Sequence, residues 1–367
     1  MSAPNEFKSG AADPAAAADP VAGIDPASGI DPAAIVALLD RMIASPGRVC
    51  VAGSANADLT VRVAELPKPG ETIAGGDLII RPGGKSANQA ATVARLGVPA
   101  TFLGAIGADP NGDVLRSALK DAGVDVNLMA ERDVSTGTAM ILVDDEAENC
   151  IVISPGANGT VDAGFVRERA SAFDGAGALG LCLEVSGDAV VEAARIAHDA
   201  GVPVVFNLSP IRELPEGLLE LVDVLIVNEH ELAALVGDEA AAAGADDAEW
   251  DAAAGALAGK YGIRTAVITL GGAGSVVVES EPDGEGEGEA PVATRIPAFP
   301  TEVVDTTGCG DSYMGTLLAG TASGLTTVEA ATLASAVSAY AAGGEGAQAS
   351  YGDAADIRAF AEAADGN

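Results

Sequence analysis

The chain is poor in histidine, in aromatic residues and in positive charge. Only His198 and His230 occur among its 367 residues, too few for a His-rich metal centre or a His-driven nucleophilic triad. No serine stands in a GxSxG frame, which removes the usual hydrolase signature. Aromatics make up 3% of the chain against 49% hydrophobic residues, so a core must be assembled from Ala, Val, Leu and Ile. That suits a parallel sheet covered by helices. Lys and Arg number 19 against 54 Asp and Glu, a formal net charge of -35. Such a surface repels nucleic-acid phosphates and anionic lipid headgroups; it is a solvated acidic surface suited to a salt-rich cytoplasm and says little about chemistry. The four cysteines, Cys50, Cys150, Cys182 and Cys309, show no CxxC spacing, and three fall in apolar, strand-like runs, which predicts a reduced protein. Runs of about 18 apolar residues are missing, as is the basic-then-apolar order of a secretory signal. These absences predict a cytoplasmic location.

Residues 1–47 are rich in Ala, Asp and Pro, with Asp-Pro repeated at Asp13, Asp19, Asp25 and Asp31. This composition predicts an extended, weakly ordered tail. Its last copy differs, because Asp31 can cap and Pro32 can open a short helix through Ile35, Val36, Leu38, Leu39 and Met42. We expect that helix to be a passive appendage to a single larger domain over 48–362. From Val49 the pattern changes to short apolar runs, VCVAG, ATFLGAIG, ALGLCLEV, VPVVFNLS, VDVLIVNE and TAVITLGG. Helical spacing between them, as at 84–96 and 188–200, predicts a doubly wound, mainly parallel α/β sheet. Two stretches break the rhythm. Within about 58–81 and 137–154 the alternation is strand-like, with Pro and Gly turns and no intervening helix, which predicts hairpins of a separate small β-sheet lid. The Gly-Glu stretch 280–291 reads as a solvated hairpin loop, and the Ala-rich stretch 237–255 as a surface helix region.

The richest chemistry lies in VVDTTGCGDSYMGTLLAG, Val303 to Gly320. A β-branched run ends at Asp305, a glycine-bearing turn follows, and a helix begins near Asp311. Backbone NH groups of Gly308, Cys309 and Gly310 would face the N-terminal space of that helix, where an anion is favoured by free donors and by the dipole. Asp311 there is either a plain cap or a base beside an anion hole for a transferring phosphoryl group. In PGGKSANQAATVARLG, Pro82 to Gly97, the GGKS resembles a Walker A loop, but Ile79 stands where that loop needs glycine. Its glycines still allow close approach of a ligand, with Lys85 and Asn88 as polar groups at a helix start. GSANAD places Asn56 and Asp58 two apart, on one face of an extended segment, matching the vicinal hydroxyls of a sugar or simply an Asx turn. VNEHE and TLGGAG put Glu231 and Thr269 at strand C-terminal ends, where open α/β sheets bind ligands. Glu231 could serve a magnesium shell or only start a helix. GAGALG, Gly175 to Gly180, is a formal GxGxxG, but it precedes a strand and so lacks the dinucleotide-binding context.

In this order, GSANADL, LPKPGET, GGKSANQAA, PGAN at 155–158, Leu183 with Glu184, NEHE, TLGGAG, DTTGCGD and GAQASYG resemble the ribokinase-like (PfkB) carbohydrate kinase family over residues 49–360. The resemblance implies ATP-dependent phosphorylation of a sugar, D-ribose at O5, with Asp311 as base and an anion hole over Thr307, Gly308, Cys309 and Gly310. It implies that Asn56, Asp58, Gly83, Gly84, Lys85, Asn88 and Glu184 hold the sugar. Asn228, Glu231, Thr269, Gly271, Gly274 and Gly310 would serve the nucleotide phosphates and Mg2+. A K+ site would use Asp305, the carbonyls of Thr307, Ala341, Gly344 and Gly346, and the Ser350 hydroxyl. A homodimer through the lid is implied as well. The chain departs from the family at Ser86, where glycine is usual, at NLSP (207–210) and at Cys309; Ser86 follows the sugar-contacting glycines and puts the identity of the sugar in question. Alternatives are another kinase of this family, acting on fructose, 2-keto-3-deoxygluconate or adenosine, and a sugar-binding regulator without catalysis.

Overall fold

The computed structural model describes residues 24–25, 29–146, 148–237, 240–280 and 291–364. Its main sheet has eight strands in the order Val292–Ile296, Ser275–Glu279, Thr265–Thr269, Val224–Asn228, Val204–Asn207, Ala178–Leu181, Val49–Ala52 and Ala100–Leu103. The last six pair in parallel, and the first two close one edge antiparallel. Successive side chains of a strand enter opposite cores: Val49 and Val51 join one cluster, Cys50 and Ala52 the other. Both faces are therefore covered, which is why the strands read as unbroken apolar runs.

The helices Lys85–Arg95, Gly187–Asp199 and Cys309–Ala322 stand where the periodicity puts them. Elsewhere the structure departs from the local reading. ATFLGAIG is divided into Ala100–Leu103 and Ala105–Gly107, and the second piece pairs with Ala130–Arg132 in a separate two-stranded sheet. Cys182 lies one residue past its strand. Val303 and Val304 form no strand and are more than half exposed, tied instead by the Val304 NH to the Ala342 carbonyl at 2.8 Å. In the Ala-rich stretch the helix begins only at Asp247, behind a capping box of Asp246 and Glu249, and it buries Trp250 completely. The strands around the Gly-Glu loop do pair, Glu279 opposite Val292; residues 281–290 of that loop, like the first 23 of the tail, lie outside the described residues.

The lid is a four-stranded sheet in the order Asn149–Ser154, Gly137–Val143, Asn56–Arg62 and Ile79–Gly83. Its two antiparallel hairpins join through a parallel central pair, which places Asn56 opposite both Gly83 and Gly137. One lid face, with Asp58, Thr60, Arg62 and Arg81, lines a cavity of about 550 Å3 against residues 303–307 and 345–347. The alternate side chains Ile80, Met140 and Val152 remain exposed on the other face.

The helix Pro32–Ala44 starts as its sequence dictates, with the Asp31 carboxylate accepting from the Ala33 NH at 2.9 Å. It is no loose appendage. Ile35, Leu39 and Met42 are fully buried in the same core as the sheet, each contributing about 1.5–3 kcal/mol. Arg41 pairs with Glu329 and Asp40 with Arg358, fixing the helix to Thr327–Ala342 and Ala354–Ala364. Amphipathicity foretold a buried face but not which surface would receive it. Among the described residues no helix is long and apolar enough to cross a membrane.

Candidate active site

Strand C-terminal ends, the lid and the start of helix Cys309–Ala322 converge on one region. Gly308 opens that helix at φ 78°; a Cβ there would lie 2.5 Å from the Tyr351 hydroxyl and 2.6 Å from the Ala347 side chain, so only glycine fits. The Cys309 NH is taken by the Thr306 carbonyl at 3.2 Å, which leaves the anion hole to fewer donors than the sequence suggests. Burial pushes the Cys309 thiol up to about 11, far from a reactive thiolate.

Asp311, the third residue of the helix, does not cap it: the cap position is Gly308, without any side-chain bond. Its carboxylate instead accepts from the Asn88 side-chain amide at 2.8 Å. Burial raises the Asp311 carboxyl above the ordinary range, opposed by the positive charge of Lys85 and by the Asn88 bond, and reinforced by Glu184. Lys85 responds in kind: burial would lower its ammonium, but Asp311 and Glu184 outweigh this and raise it. Asp311 is thus basic for a carboxylate, with a cation beside it.

Gly84, at φ 89°, caps the helix Lys85–Arg95 and passes so close to the start of the lid strand Asn56–Arg62 that a Cβ would meet the Asn56 nitrogen at 2.7 Å. A Cβ on Gly83 would meet the Asp58 carboxylate at 2.1 Å. These glycines therefore let the lid's polar side chains lie against the helix start. Burial, with Glu184 and Asp311 nearby, pushes the Asp58 carboxyl up to about 7. Glu184 is held by the Ser54 hydroxyl at 2.5 Å and by the Lys85 NH at 3.0 Å. Asn56 is fixed by a residue that sequence reasoning did not place in the site: Asn158 donates to its carbonyl oxygen at 2.8 Å and also bonds both the Ala55 NH and the Ala55 carbonyl. The signal lay in PGAN, read only as a family mark. Ser86, where the family has glycine, places its fully buried hydroxyl 3.2 Å from the Cys182 sulfur and close against Gly53.

Lys85, Glu231, Thr269, Gly308, Gly310 and Asp311 line one cavity of about 250 Å3. Asn207 and Ser209 line it too; the first ends a sheet strand and the second follows it, so the strand-end rule applied to Glu231 would have found them. A second, largely apolar cavity of about 240 Å3 adjoins it, shares Thr269 and Gly310, and adds Gly271, Gly274 and Tyr313. Glu231 does start a helix: it and Asn228 form a reciprocal capping box, both bonds 2.8 Å. Yet it is buried, and burial raises its carboxyl despite the Asn228 bond.

The residues assigned to a monovalent cation also come together. Asp305 accepts from the Thr307 NH at 2.9 Å and the Gly346 NH at 2.8 Å. Partial burial would raise its carboxyl, but these bonds and the charge of Arg81 outweigh it and hold it low. The Ala341 carbonyl accepts from the Gly344 NH at 3.1 Å, and Gly344 abuts Ser350. The two segments touch, since the Asp305 NH donates to the Ala342 carbonyl at 3.2 Å, and carboxylate, carbonyl and hydroxyl oxygens are the donor type a hard cation takes. Among the described residues no group of three or more His, Cys, Asp or Glu is placed to hold a metal ion.

A buried carboxylate at a glycine-opened helix start, with Lys85 and the lid residue Asp58 near it, has the chemistry to accept a proton from a hydroxyl group. The pfkB family carbohydrate kinase profile matches residues 47–354. The chain is 38% identical over 275 residues to the ribokinase of Schizosaccharomyces pombe, covering 73% of this chain and 83% of that one. It is 35% identical over 268 residues to the ribokinase of Haemophilus influenzae, covering 72% and 82%. The structure of Arabidopsis thaliana ribokinase complexed with ribose and ATP superposes with a TM-score of 0.76 at 29% identity, covering 86% of this chain and 99% of that one. The chain belongs to the pfkB family of carbohydrate kinases.

Proposed function

We propose that this protein transfers the γ-phosphoryl group of ATP to the O5 hydroxyl of D-ribose, giving D-ribose 5-phosphate. The observation that carries the reading is Asp311, buried, held by Asn88 and lining one cavity with Lys85, Glu231 and Gly310. The relatives named above are ribokinases, and one of them is a complex with ribose and ATP.

In this reading Asn56, Asp58, Asn88 and Glu184 hold the sugar hydroxyls, and Asp311 takes the O5 proton as that oxygen attacks. Its raised pKa makes it a stronger base than a solvated aspartate, and the charge of Lys85 opposes that rise. The helix start from Gly308 to Gly310 stabilises charge on the transferring phosphoryl group. The apolar cavity beside Thr269 and Gly271 takes the nucleoside, and the lid excludes water that would otherwise accept the phosphoryl group. Magnesium, near Glu231 and Asn228, would neutralise phosphate charge. With so few protein carboxylates at hand, it would bind chiefly through the phosphates. Potassium would use Asp305, the carbonyls of Thr307, Ala341, Gly344 and Gly346, and Ser350, and order the glycine turn. Ile80, Met140 and Val152 on the lid's outer face would pair with a second copy.

The test is ADP release measured with a panel of D-ribose, D-fructose, 2-keto-3-deoxygluconate and adenosine. Ribose should give the highest kcat/KM; preference for another member, or no turnover on any, would reject the assignment.

A further inference from the structure

Asn88 has a second partner: its carbonyl oxygen accepts from the Gln348 side-chain amide at 2.9 Å. Gln348, Asn88 and Asp311 are all buried. The direction of the chain of bonds follows from chemistry. An ionised carboxylate only accepts, so Asn88 must turn its NH2 toward Asp311; its oxygen then needs a donor, and Gln348 supplies one. Removing that donor would free the amide to rotate and present oxygen to the carboxylate, a repulsive contact in a low-dielectric site.

The segment bearing Gln348 is itself held on three sides. The Gly346 NH binds Asp305 at 2.8 Å. The Tyr351 hydroxyl donates to the Gly308 carbonyl at 2.8 Å, beneath the glycine turn. Arg95 donates to the Tyr351 carbonyl at 2.5 Å. Residues 346–351 therefore touch the glycine turn directly and the base through Asn88. The GAQASYG run, read in the sequence as a family mark and, through Gly346 and Ser350, as part of a cation site, also braces the glycine turn and Asn88.

We propose that Gln348 is a positioning residue that fixes the rotamer of the Asn88 amide and thereby orients the Asp311 carboxylate for proton abstraction. The proposal rests on Asp311 being the base. Two variants test it: Gln348→Leu, which removes the donor at similar volume, and Gln348→Asn, which stays polar but is too short to reach Asn88. In both, kcat for ribose should fall about tenfold or more, the equivalent of one hydrogen bond. The ATP dissociation constant, measured by calorimetry, should stay within about twofold.

A readout independent of turnover is the Asp311 carboxyl followed by NMR in the ligand-free protein. It should titrate at higher pH in either variant, because the Asn88 donor that favours its charged form is no longer secured. Lys85, Asp58, Glu184, Cys309 and Tyr351 are the other ionisable groups acting on Asp311 or sensing it, and both variants leave them in place. An unmoved titration in a folded variant overturns the proposal, as does an unchanged kcat. If the wild-type protein does not phosphorylate ribose, the functional reading falls, while the titration still decides the role of Gln348.

Discussion

Asn88 and Asp311, separated by 223 positions in the chain, meet at 2.8 Å inside the protein. Each sits in the first turns of its own helix, Lys85–Arg95 and Cys309–Ala322. The close packing of these two helices brings the amide of a lid-side motif onto the carboxylate of the glycine-turn motif. In the proposed reaction this contact would join the sugar end of the site to the phosphoryl end.

Replacing Asp311 with Asn tests the base directly. The side chain keeps its shape and can still accept from Asn88, but it cannot take a proton. We expect kcat to fall by about 100-fold to 10,000-fold, the range for a positioned general base, with ribose and ATP binding by calorimetry retained. Near wild-type turnover would exclude Asp311 as the base.

Asp58 predicts a pH-dependent stability. Its folded pKa of about 7 lies above that of the unfolded chain, about 3.9, so the folded state prefers the protonated form. Stability from this group is complete below the unfolded value and lost as pH rises through about 7. Asp58→Asn removes that loss. In the absence of ligands, the melting temperature of the variant relative to wild type should therefore increase between pH 5 and pH 8 (approximate endpoints of this window), and a difference independent of pH would contradict the burial of this carboxyl.

Glu231→Gln separates capping from ion binding. Glutamine can still accept from the Asn228 NH and complete the capping box, while the charge is lost. Thermal stability should hardly move, and the magnesium concentration giving half-maximal rate should rise several-fold. A lowered melting temperature with an unaltered magnesium requirement would leave Glu231 as a cap alone.

Leu39→Ala asks whether the N-terminal helix belongs to the folded body. The fully buried side chain should cost about 2–5 kcal/mol when truncated, read as a lower urea midpoint. KM for ribose and ATP should be unchanged, because the helix packs on Ala354–Ala364 and Thr327–Ala342 and none of its residues lines either site cavity. Loss below about 0.5 kcal/mol would mean the helix is dispensable to the core.

Met140→Asp bears on the lid as a dimer surface. Light scattering should show a dimer for wild type and a monomer for the variant, since a charge placed among Ile80 and Val152 on the exposed lid face opposes burial of that face. A wild-type monomer would remove the proposed assembly.

The amino-acid sequence by itself determined the layered α/β class, because both-sided burial writes unbroken apolar runs and helical spacing separates them. It also determined the positions of the glycines at 84 and 308, where backbone must pass close or turn left-handed. Tertiary structure alone decided which motifs meet. Whether Asp311 caps its helix or faces Asn88, whether Ser86 points to the sugar or to Cys182, and whether the helix at 32–44 hangs free or joins the core all depend on packing between segments far apart in the chain. Local propensity carries no information about such partners; Asn158 and Gln348 were invisible as site residues for the same reason, their hydrogen bonds spanning 102 and 260 positions.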